Sequence, residues 1–545
     1  MIHPREDTKM QRQLTVRGLI IGILGLLVIT ASSMYVALRM GALPWPTVFV
    51  TIVSMAALKN RKNSTLQEIN VTHTLMSAGA MVAGGLAFTI PGIWMLNPQA
   101  RISTGSLMVL TICGAILGTL FTTLFRKDFI EREQLPYPMG QAAYNTLIAG
   151  TTGGGPAKKL FAAMGGSALF TVLRDGFAKI PAVLTPFAGT ALFPAFSIWV
   201  SPMALGIGAI IGPVLSLIWL GGAVFGYYLL TPIGISTGLF ADMSAADLFR
   251  SNLGIGLMVG TGLGVFVKAV WSRGRQYLQD KKASGKSPER RRLSAKAKYS
   301  ALALVVATVV ILTVGTEISL LQAIVVIGGI YLTTYLSGML TGQTGVNPME
   351  VFGILVLLVV QVFWHPSLIA AFSVAAVTAV ACGLTGDVMN DLKSGHMLGT
   401  DPRQQLLAEG IGGVIGAVVA VIVLLVMKQA FGGFGTAELP APQAAAVSAM
   451  AGGLGHVPAF MIGAVIGLAL YLCSVPAATL GLGIYLPVYI SSIMGSGAII
   501  MLAVRACTRN KDQGKVTSGS NLIASGLLGG EGITGVIIAI ISMIR

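Results

Sequence analysis

ACGLTGDVMNDLKSGHMLGTDPRQQLLAEGIGG, residues 381–413, sets Asp387, Asp391, Lys393, His396, Asp401 and Arg403 between two strongly apolar stretches. It reads as a polar, charged, glycine-punctuated loop. An ionisable side chain at membrane depth costs about 2.5–3.5 kcal/mol on insertion scales, so charges kept among apolar runs are functional candidates by default.

The surroundings are those of a membrane protein. Of 545 residues, 54% are hydrophobic and 10% charged, where soluble domains carry about a quarter charged; the mean hydropathy is +0.80. A spanning helix takes about 20 apolar residues, and on that measure the runs divide into about 14–16 segments. Clear spans are Arg17–Tyr35, Val71–Met95, Thr104–Phe125, Gly254–Trp271, Ala301–Val314, Leu321–Leu340, Leu406–Met427, Ala459–Leu472 and Leu522–Ile544. The first lacks a convincing small-residue cleavage site and reads as a retained helix. The expected fold is an all-α polytopic membrane protein in two related halves, with re-entrant or broken segments.

The net charge of +16 has a place rather than a partner. Ser272–Lys298 holds ten Lys or Arg against two acids, with smaller basic clusters at Arg5–Arg17, Lys59–Lys62 and Arg505–Lys515. Short basic loops stay cytoplasmic and attract anionic lipid; without interleaved aromatics, nucleic acid is not an expected partner. The basic stretch 271–299 separates an N-terminal half, 1–270, from a C-terminal half, 300–545. Cys113, Cys382, Cys473 and Cys507 lack a C-x-x-C pair, and the five histidines are isolated. No metal site and no cofactor are therefore expected from spacing. Walker, nucleophile-elbow and zinc-helix motifs are absent from the sequence as well. A lipid- or prenyl-processing enzyme would want clustered acids for magnesium, and Asp387-x-x-x-Asp391 is the only approach to that. A channel would also be multi-pass, and saturable, gradient-dependent uptake separates a carrier from a pore.

Transport of the secondary kind remains. The 69 glycines permit close helix packing and helix breaks where a cavity is lined. In Glu131–Gly150, EREQLPYPMGQAAYNTLIAG, Pro136 and Pro138 preclude regular helix while Tyr137, Gln141, Tyr144 and Asn145 supply neutral polar groups, the pattern of a re-entrant hairpin lining a site. In GQTGVNPME, Asn347-Pro348 interrupts a helix pair and Glu350 opens the next run, where the helix dipole favours an acid. Glu68, Asn70 and His73 lead into an apolar stretch. Glu531 stands alone between glycines in the last span, and Arg174-Asp175 reads as a self-neutralising pair. A loose echo, YVALRMGALPWPTVFV near the start and GLGIYLPVYISSIMG near the end, each followed by a basic turn and a small-residue-rich helix, fits a duplicated transporter architecture.

Four motifs carry a resemblance. GLTGDVMNDLKSGHMLGTDPRQQLLAEGIG resembles the D-x-M-x-D-x-K-[ST]-G…P-R segment of the oligopeptide transporter (OPT) family, including its yellow-stripe branch. LPYPMGQAAYNTLI, GLGIYLPVYIS and ASGLLGGEGITGV resemble three further elements of that family, and all four fall in its order across nearly the whole chain. The resemblance implies a bundle of about 16 helices from related halves and proton-driven uptake of short peptides or, alternatively, of siderophore- or nicotianamine-like metal chelates. It carries over to Asp387, Asp391, Lys393, Pro402, Arg403, Tyr137, Pro138, Tyr485, Pro487 and Glu531. On the residues themselves, a zwitterionic peptide asks for an acid and a base kept apart: Asp387 or Asp391 with Lys393 or Arg403, whose guanidinium offers a bidentate fork. The expected substrate site is Tyr137, Gln141, Asn145, Asn347, Asp387, Asp391, Lys393, Arg403 and Tyr485, and the expected proton carriers are Glu531, Glu350 and Asp387. Expected partners are substrate, protons and membrane lipid, in an inner (cytoplasmic) membrane; whether the chain forms a homo-oligomer is left open.

Overall fold

The computed structural model describes residues 13–41, 43, 47–59, 64–135, 137, 139–141, 143–144, 147–148, 155–185, 197–283, 295–344, 347–436, 438–451, 456–510 and 512–544. The chain is an all-α polytopic membrane protein. Its first half supplies α1 (Val16–Met40), α2 (Thr47–Leu58), α3 (Leu66–Ala87), α4 (Pro91–Leu96), α5 (Thr104–Arg126), α6 (Gly155–Thr171), α7 (Pro202–Ile211), α8 (Pro213–Val224), α9 (Thr231–Ser236) and α10 (Met243–Ala283). Its second supplies α11 (Ala295–Gly315), α12 (Leu320–Thr344), α13 (Met349–Phe363), α14 (Leu368–Leu398), α15 (Pro402–Ala430), α16 (Pro442–Ala451), α17 (Val457–Leu472), α18 (Ala477–Tyr485), α19 (Val488–Cys507) and α20 (Gln513–Ile544). Eight stretches among the described residues are long and apolar enough to cross a bilayer, with shorter apolar helices such as Met349–Phe363 and Val457–Leu472 beside them. Eight of the nine clear spans read from the sequence each lie within one helix; the ninth, Val71–Met95, is divided between α3 and α4 by a turn at Phe88–Ile90. Single π-helical turns extend α5 (Lys127–Arg132) and α6 (Val172–Gly176), and a third, Phe225–Leu230, joins α8 to α9. A two-residue antiparallel ladder, β1 (Val183–Leu184) with β2 (Ile198–Trp199), leads into α7.

The structure corrects the reading of residues 381–413. They are not a loop: α14 runs unbroken to Leu398 and α15 begins at Pro402. The reversal takes three residues, and local chemistry explains each. Gly399 ends α14 at φ 72° and returns its N–H to the Gly395 carbonyl, the left-handed cap glycine tolerates best. Asp401 then caps α15, accepting from the Arg403 N–H at 3.0 Å, and Pro402 takes the first turn, where its missing N–H costs nothing. The polar residues upstream survive inside helix because they face protein. From Ala370 to Gly395 nearly the whole circumference of α14 is buried, covered by α3, α5, α12, α13 and α15.

Two groups of helices share the bundle. One is α1, α3, α5, α12, α13, α14 and α15; the other is α6, α7, α8, α10, α17, α18, α19 and α20. Each draws helices from both sides of the basic stretch. They meet where α1, α2 and α15 touch α20, and where α12 and α13 touch α10. In the second group, α10 and α17 pack through reciprocal small-xxx-small pairs. A Cβ on Gly256 would lie 2.2 Å from the Phe460 carbonyl oxygen, and one on Gly260 would lie 2.0 Å from that of Ala464. Cβ atoms on Gly463 and Gly467 would each approach the α10 backbone to 2.3 Å. Lipid does not drive apolar helices together, so backbone proximity carries the association.

Gly260→Ala should therefore cost about 1–3 kcal/mol or more through overpacking, read as a lowered melting temperature of the detergent-solubilised protein by intrinsic fluorescence. Gly165→Ala, at a position with nothing within 4 Å, should leave it unchanged or raise it. Identical melting of both variants would contradict backbone-level packing at Gly260.

Candidate functional site

Three helices bring one face each to the centre of the first group. On α3, Asn70, His73, Thr74 and Ser77 recur at helical spacing; on α14, Asp387, Asp391 and Ser394 do so; on α15, Gln405 and Glu409 stand one turn apart. Asp387, Asp391, Glu409 and His73 are all 0% exposed. A carboxylate oxygen from each acid lies within 4.8 Å of the others. Ser77 Oγ donates to Asp391 Oδ2 at 2.8 Å, which leaves Oδ1 3.3 Å from His73 Nε2 at an angle outside hydrogen bonding. Both oxygens of Asp387, both of Glu409, Asp391 Oδ1 and both ring nitrogens of His73 have no hydrogen-bond partner among the described residues.

The shell around this cluster is hydrogen-bonded by contrast, apart from Gln405 Oε1. Gln405 Nε2 donates to Thr74 Oγ1 at 3.2 Å and to the Asp391 carbonyl at 2.9 Å. Ser394 Oγ is 2.9 Å from Asn70 Oδ1, and Asn70 Nδ2 donates to Thr400 Oγ1 at 3.3 Å. Thr65 and Glu68 form a capping box at the start of α3: Thr65 Oγ1 accepts from the Glu68 N–H. The Glu68 carboxylate then takes Arg17 through Nε at 2.7 Å and Nη2 at 2.6 Å, with Thr15 Oγ1 at 2.5 Å. This anchors α1 to α3 and fixes the face that carries His73.

The other expected residues are distributed along α14 and beyond. Lys393 Nζ donates to the Leu135 carbonyl at 2.8 Å, and no acid pairs with it among the described residues. Tyr137 is fully buried at φ 45°; its N–H donates to the Gly342 carbonyl and its hydroxyl to that of Gly338, each at 2.9 Å, which holds a backbone shape costly for a non-glycine residue. Gln141 begins the helical turn after it, half-buried, and Asn145 lies outside the described residues. Asn347 bridges helices, giving Nδ2 to the Cys382 carbonyl at 2.8 Å and accepting from Ser337 Oγ at 2.9 Å. Glu350 sits buried in the first turn of α13, and no described cation pairs with it. Tyr485, at the end of α18, donates to the Pro442 carbonyl. Arg403 is exposed at the start of α15, so it does not join Asp387 and Asp391 in one buried acid–base site.

Glu531 corrects a second expectation, because it is not isolated. Its Oε1 accepts from Arg174 Nη2 at 2.7 Å; its Oε2 accepts from Ser201 Oγ at 2.9 Å and from the Met203 N–H at 2.8 Å, at the first turn of α7. Arg174 also grips Asp175 bidentately, both contacts at 2.7 Å, and donates to the Val200 carbonyl. Asp175 in turn accepts from Arg39 at 3.1 Å, and Arg39 meets the Tyr35 hydroxyl. The pair read as self-neutralising is part of a network of two guanidiniums and two carboxylates. Among the residues that sequence reasoning left out of the site, Glu409 carried the clearest signal: it is a lone acid inside the apolar run 406–427.

Broken helices beside ionisable groups sealed at the centre of a multi-pass bundle define a membrane transporter. The comparison with known proteins supplies the family. This chain belongs to the OPT family, whose model, described as OPT oligopeptide transporter protein, matches residues 13–542. A Haemophilus influenzae protein named "Putative oligopeptide transporter" is 26% identical over 484 residues, 77% of this chain and 75% of its own. The metal-nicotianamine transporter YSL2 of Arabidopsis thaliana is 42% identical over 59 residues, 10% of this chain and 9% of its own.

Arg174→Met leaves the fully buried Glu531 without its cation, which should lower stability by about 3–5 kcal/mol. Adding Glu531→Gln to that background should recover part of the loss. Thermal melts of the two single variants and the double variant measure the coupling, and strictly additive losses would show that the pair contributes nothing as a pair.

Proposed function

We propose that this protein is a secondary active importer that carries short oligopeptides across the cytoplasmic membrane in symport with protons, with the basic stretch 271–299 on the cytoplasmic side. The observation that carries the reading is a separation of charge inside the bundle. Lys393 meets a neutral carbonyl rather than an acid, and Glu350 is buried without a described base. A buried ammonium whose charge is unmatched suits the carboxylate of a peptide, and a buried carboxylate at a broken-helix start suits a proton that enters and leaves. Of the expected proton carriers, Glu531 is committed to Arg174 and Asp387 shares its space with two other carboxylates. Glu350 takes the role here.

The peptide reading draws on the family description and on the name of the Haemophilus relative. Tyr137, Gln141 and Asn347, beside Lys393, are the polar groups assigned to the substrate path. A second reading, uptake of an anionic metal chelate, is favoured by the short match to the metal-nicotianamine transporter. The same lysine would serve it, since the chelator satisfies the metal and shows the protein carboxylates.

Reconstituted in liposomes, the protein should accumulate labelled tripeptide when an inward proton gradient is imposed and stop when a protonophore collapses it. Glu350→Gln should abolish gradient-driven accumulation while peptide–peptide exchange persists, and Lys393→Gln should raise KM for peptides with a free C-terminus more than for amidated ones. Full gradient-driven uptake by Glu350→Gln would remove Glu350 from coupling; accumulation of chelates but not of peptides would establish the second reading.

A further inference from the structure

We propose that Asp387, Asp391, Glu409 and His73 form a binding site for a bare divalent transition cation. The site is separate from any chelated metal carried as substrate, and it goes beyond the peptide-symport reading. Three carboxylates meet where α14 and α15 pack, and a fully buried imidazole from α3, itself without a hydrogen-bond partner, brings Nε2 to 3.3 Å from the free oxygen of Asp391.

Three carboxyl groups buried together at 0% exposure with no described cation are costly to ionise. The cost falls if one positive ion is shared among the oxygens. The shell is arranged as a metal shell would be: Ser77 donates to Asp391 Oδ2 and leaves Oδ1 to His73, as outer hydrogen bonds orient ligands elsewhere. The nearest amide donor is engaged otherwise, since Gln405 spends its N–H groups on Thr74 and the Asp391 carbonyl.

The donor set selects the ion. Three carboxylates with one imidazole suit Mn²⁺, Fe²⁺ or Zn²⁺, whereas Mg²⁺ and Ca²⁺ prefer oxygen throughout. Three donors about 2.1 Å from one ion stand at most about 3.6 Å from one another, so oxygens now within 4.8 Å of one another need close by up to about 1 Å. Asp387 and Asp391 are one turn apart on a single helix, which leaves the approach of Glu409 and His73 as the movement required.

The test uses full-length, tag-free, chelator-stripped protein in detergent, with MnCl₂ and ZnCl₂ as probes, and reads bound metal per chain by elemental analysis after equilibrium dialysis together with the melting temperature. One ion per chain and a concentration-dependent rise in melting temperature are expected. Glu409→Gln and Asp387→Asn should weaken binding at least about 10-fold and His73→Gln by a smaller factor, while the exposed Glu438→Gln should bind as the wild type does. The acid variants each replace a buried carboxyl that has no described hydrogen-bond partner by an amide of similar size, so their metal-free forms should melt no lower than the wild type, which keeps loss of binding distinct from loss of fold. Glu350→Gln should bind the ion normally, so failure of the proton reading leaves this result untouched, and the reverse also holds. No saturable binding up to about 1 mM, or wild-type affinity in folded Glu409→Gln, would overturn the proposal.

Discussion

A helix with almost no lipid- or water-facing side must account for every polar atom it carries, and α14 carries two aspartates one turn apart. In lipid that arrangement would be prohibitive; inside a protein shell it is a matter of what the neighbours bring. They bring small residues first. A Cβ on Gly85 of α3 or on Gly118 of α5 would meet α14 backbone atoms at 2.6 Å, so those helices lie against it nearly backbone to backbone. Close approach excludes water and fixes the rotamers of whatever faces inward. It also means that the acids on α14 cannot reach solvent by a side-chain swing.

The bundle deals with buried charge in two opposite ways, and the contrast assigns roles. Around Glu531 the charges balance: two guanidiniums, two carboxylates, a serine hydroxyl and a helix N–H leave neither carboxylate oxygen of Glu531 idle. Such a network specifies which elements dock, because each partner alone would be an uncompensated charge. Around Asp387 and Glu409 acid meets acid, and among the described residues the oxygens of both have no hydrogen-bond partner. A fully satisfied network rigidifies, and an unsatisfied one stays open to an ion or a proton. Glu350 and Lys393 are intermediate, single charges held apart from any described counter-ion.

How much of this was legible in the chain follows from the range of each interaction. Apolar spans depend on neighbours a few residues away, and eight of the nine clear ones each lie within one helix, the ninth being split between α3 and α4. The reversal at residues 399–401 was equally local, since glycine, aspartate and proline mark the end of one helix and the start of the next. What misled was polarity: Asp387, Asp391 and Lys393 read as part of a polar loop because composition cannot tell water from a polar protein shell. Glu531 looked solitary because its partner Arg174 is 357 residues away. His73 was visible as a histidine beside an apolar run, yet nothing in its surroundings on α3 points to Asp391, 318 positions on. Long-range pairing of charges is the part of a membrane fold that one sequence conceals.

The two kinds of site also differ in where they sit relative to the division of the bundle. The carboxylate cluster is built from α3, α14 and α15, all in one helix group, so a rigid-body rocking of that group would carry the cluster along intact. The Arg39–Asp175 contact crosses from α1 to the turn after α6, joining one group to the other. Glu531 lies on α20, which itself touches α1 and α15 of the opposite group. The reciprocal glycine contacts of α10 and α17 hold the second group together from within, and α10 meets α12 and α13 at the boundary. A relative motion of the groups would thus break charge-assisted bonds near Arg39 before it disturbed either the cluster or the glycine seam. The bonds at that boundary are polar and can re-form with other partners; the seam cannot loosen without opening voids. In this architecture the unsatisfied acids lie within one helix group, and the Arg39–Asp175 pair lies where the two groups meet.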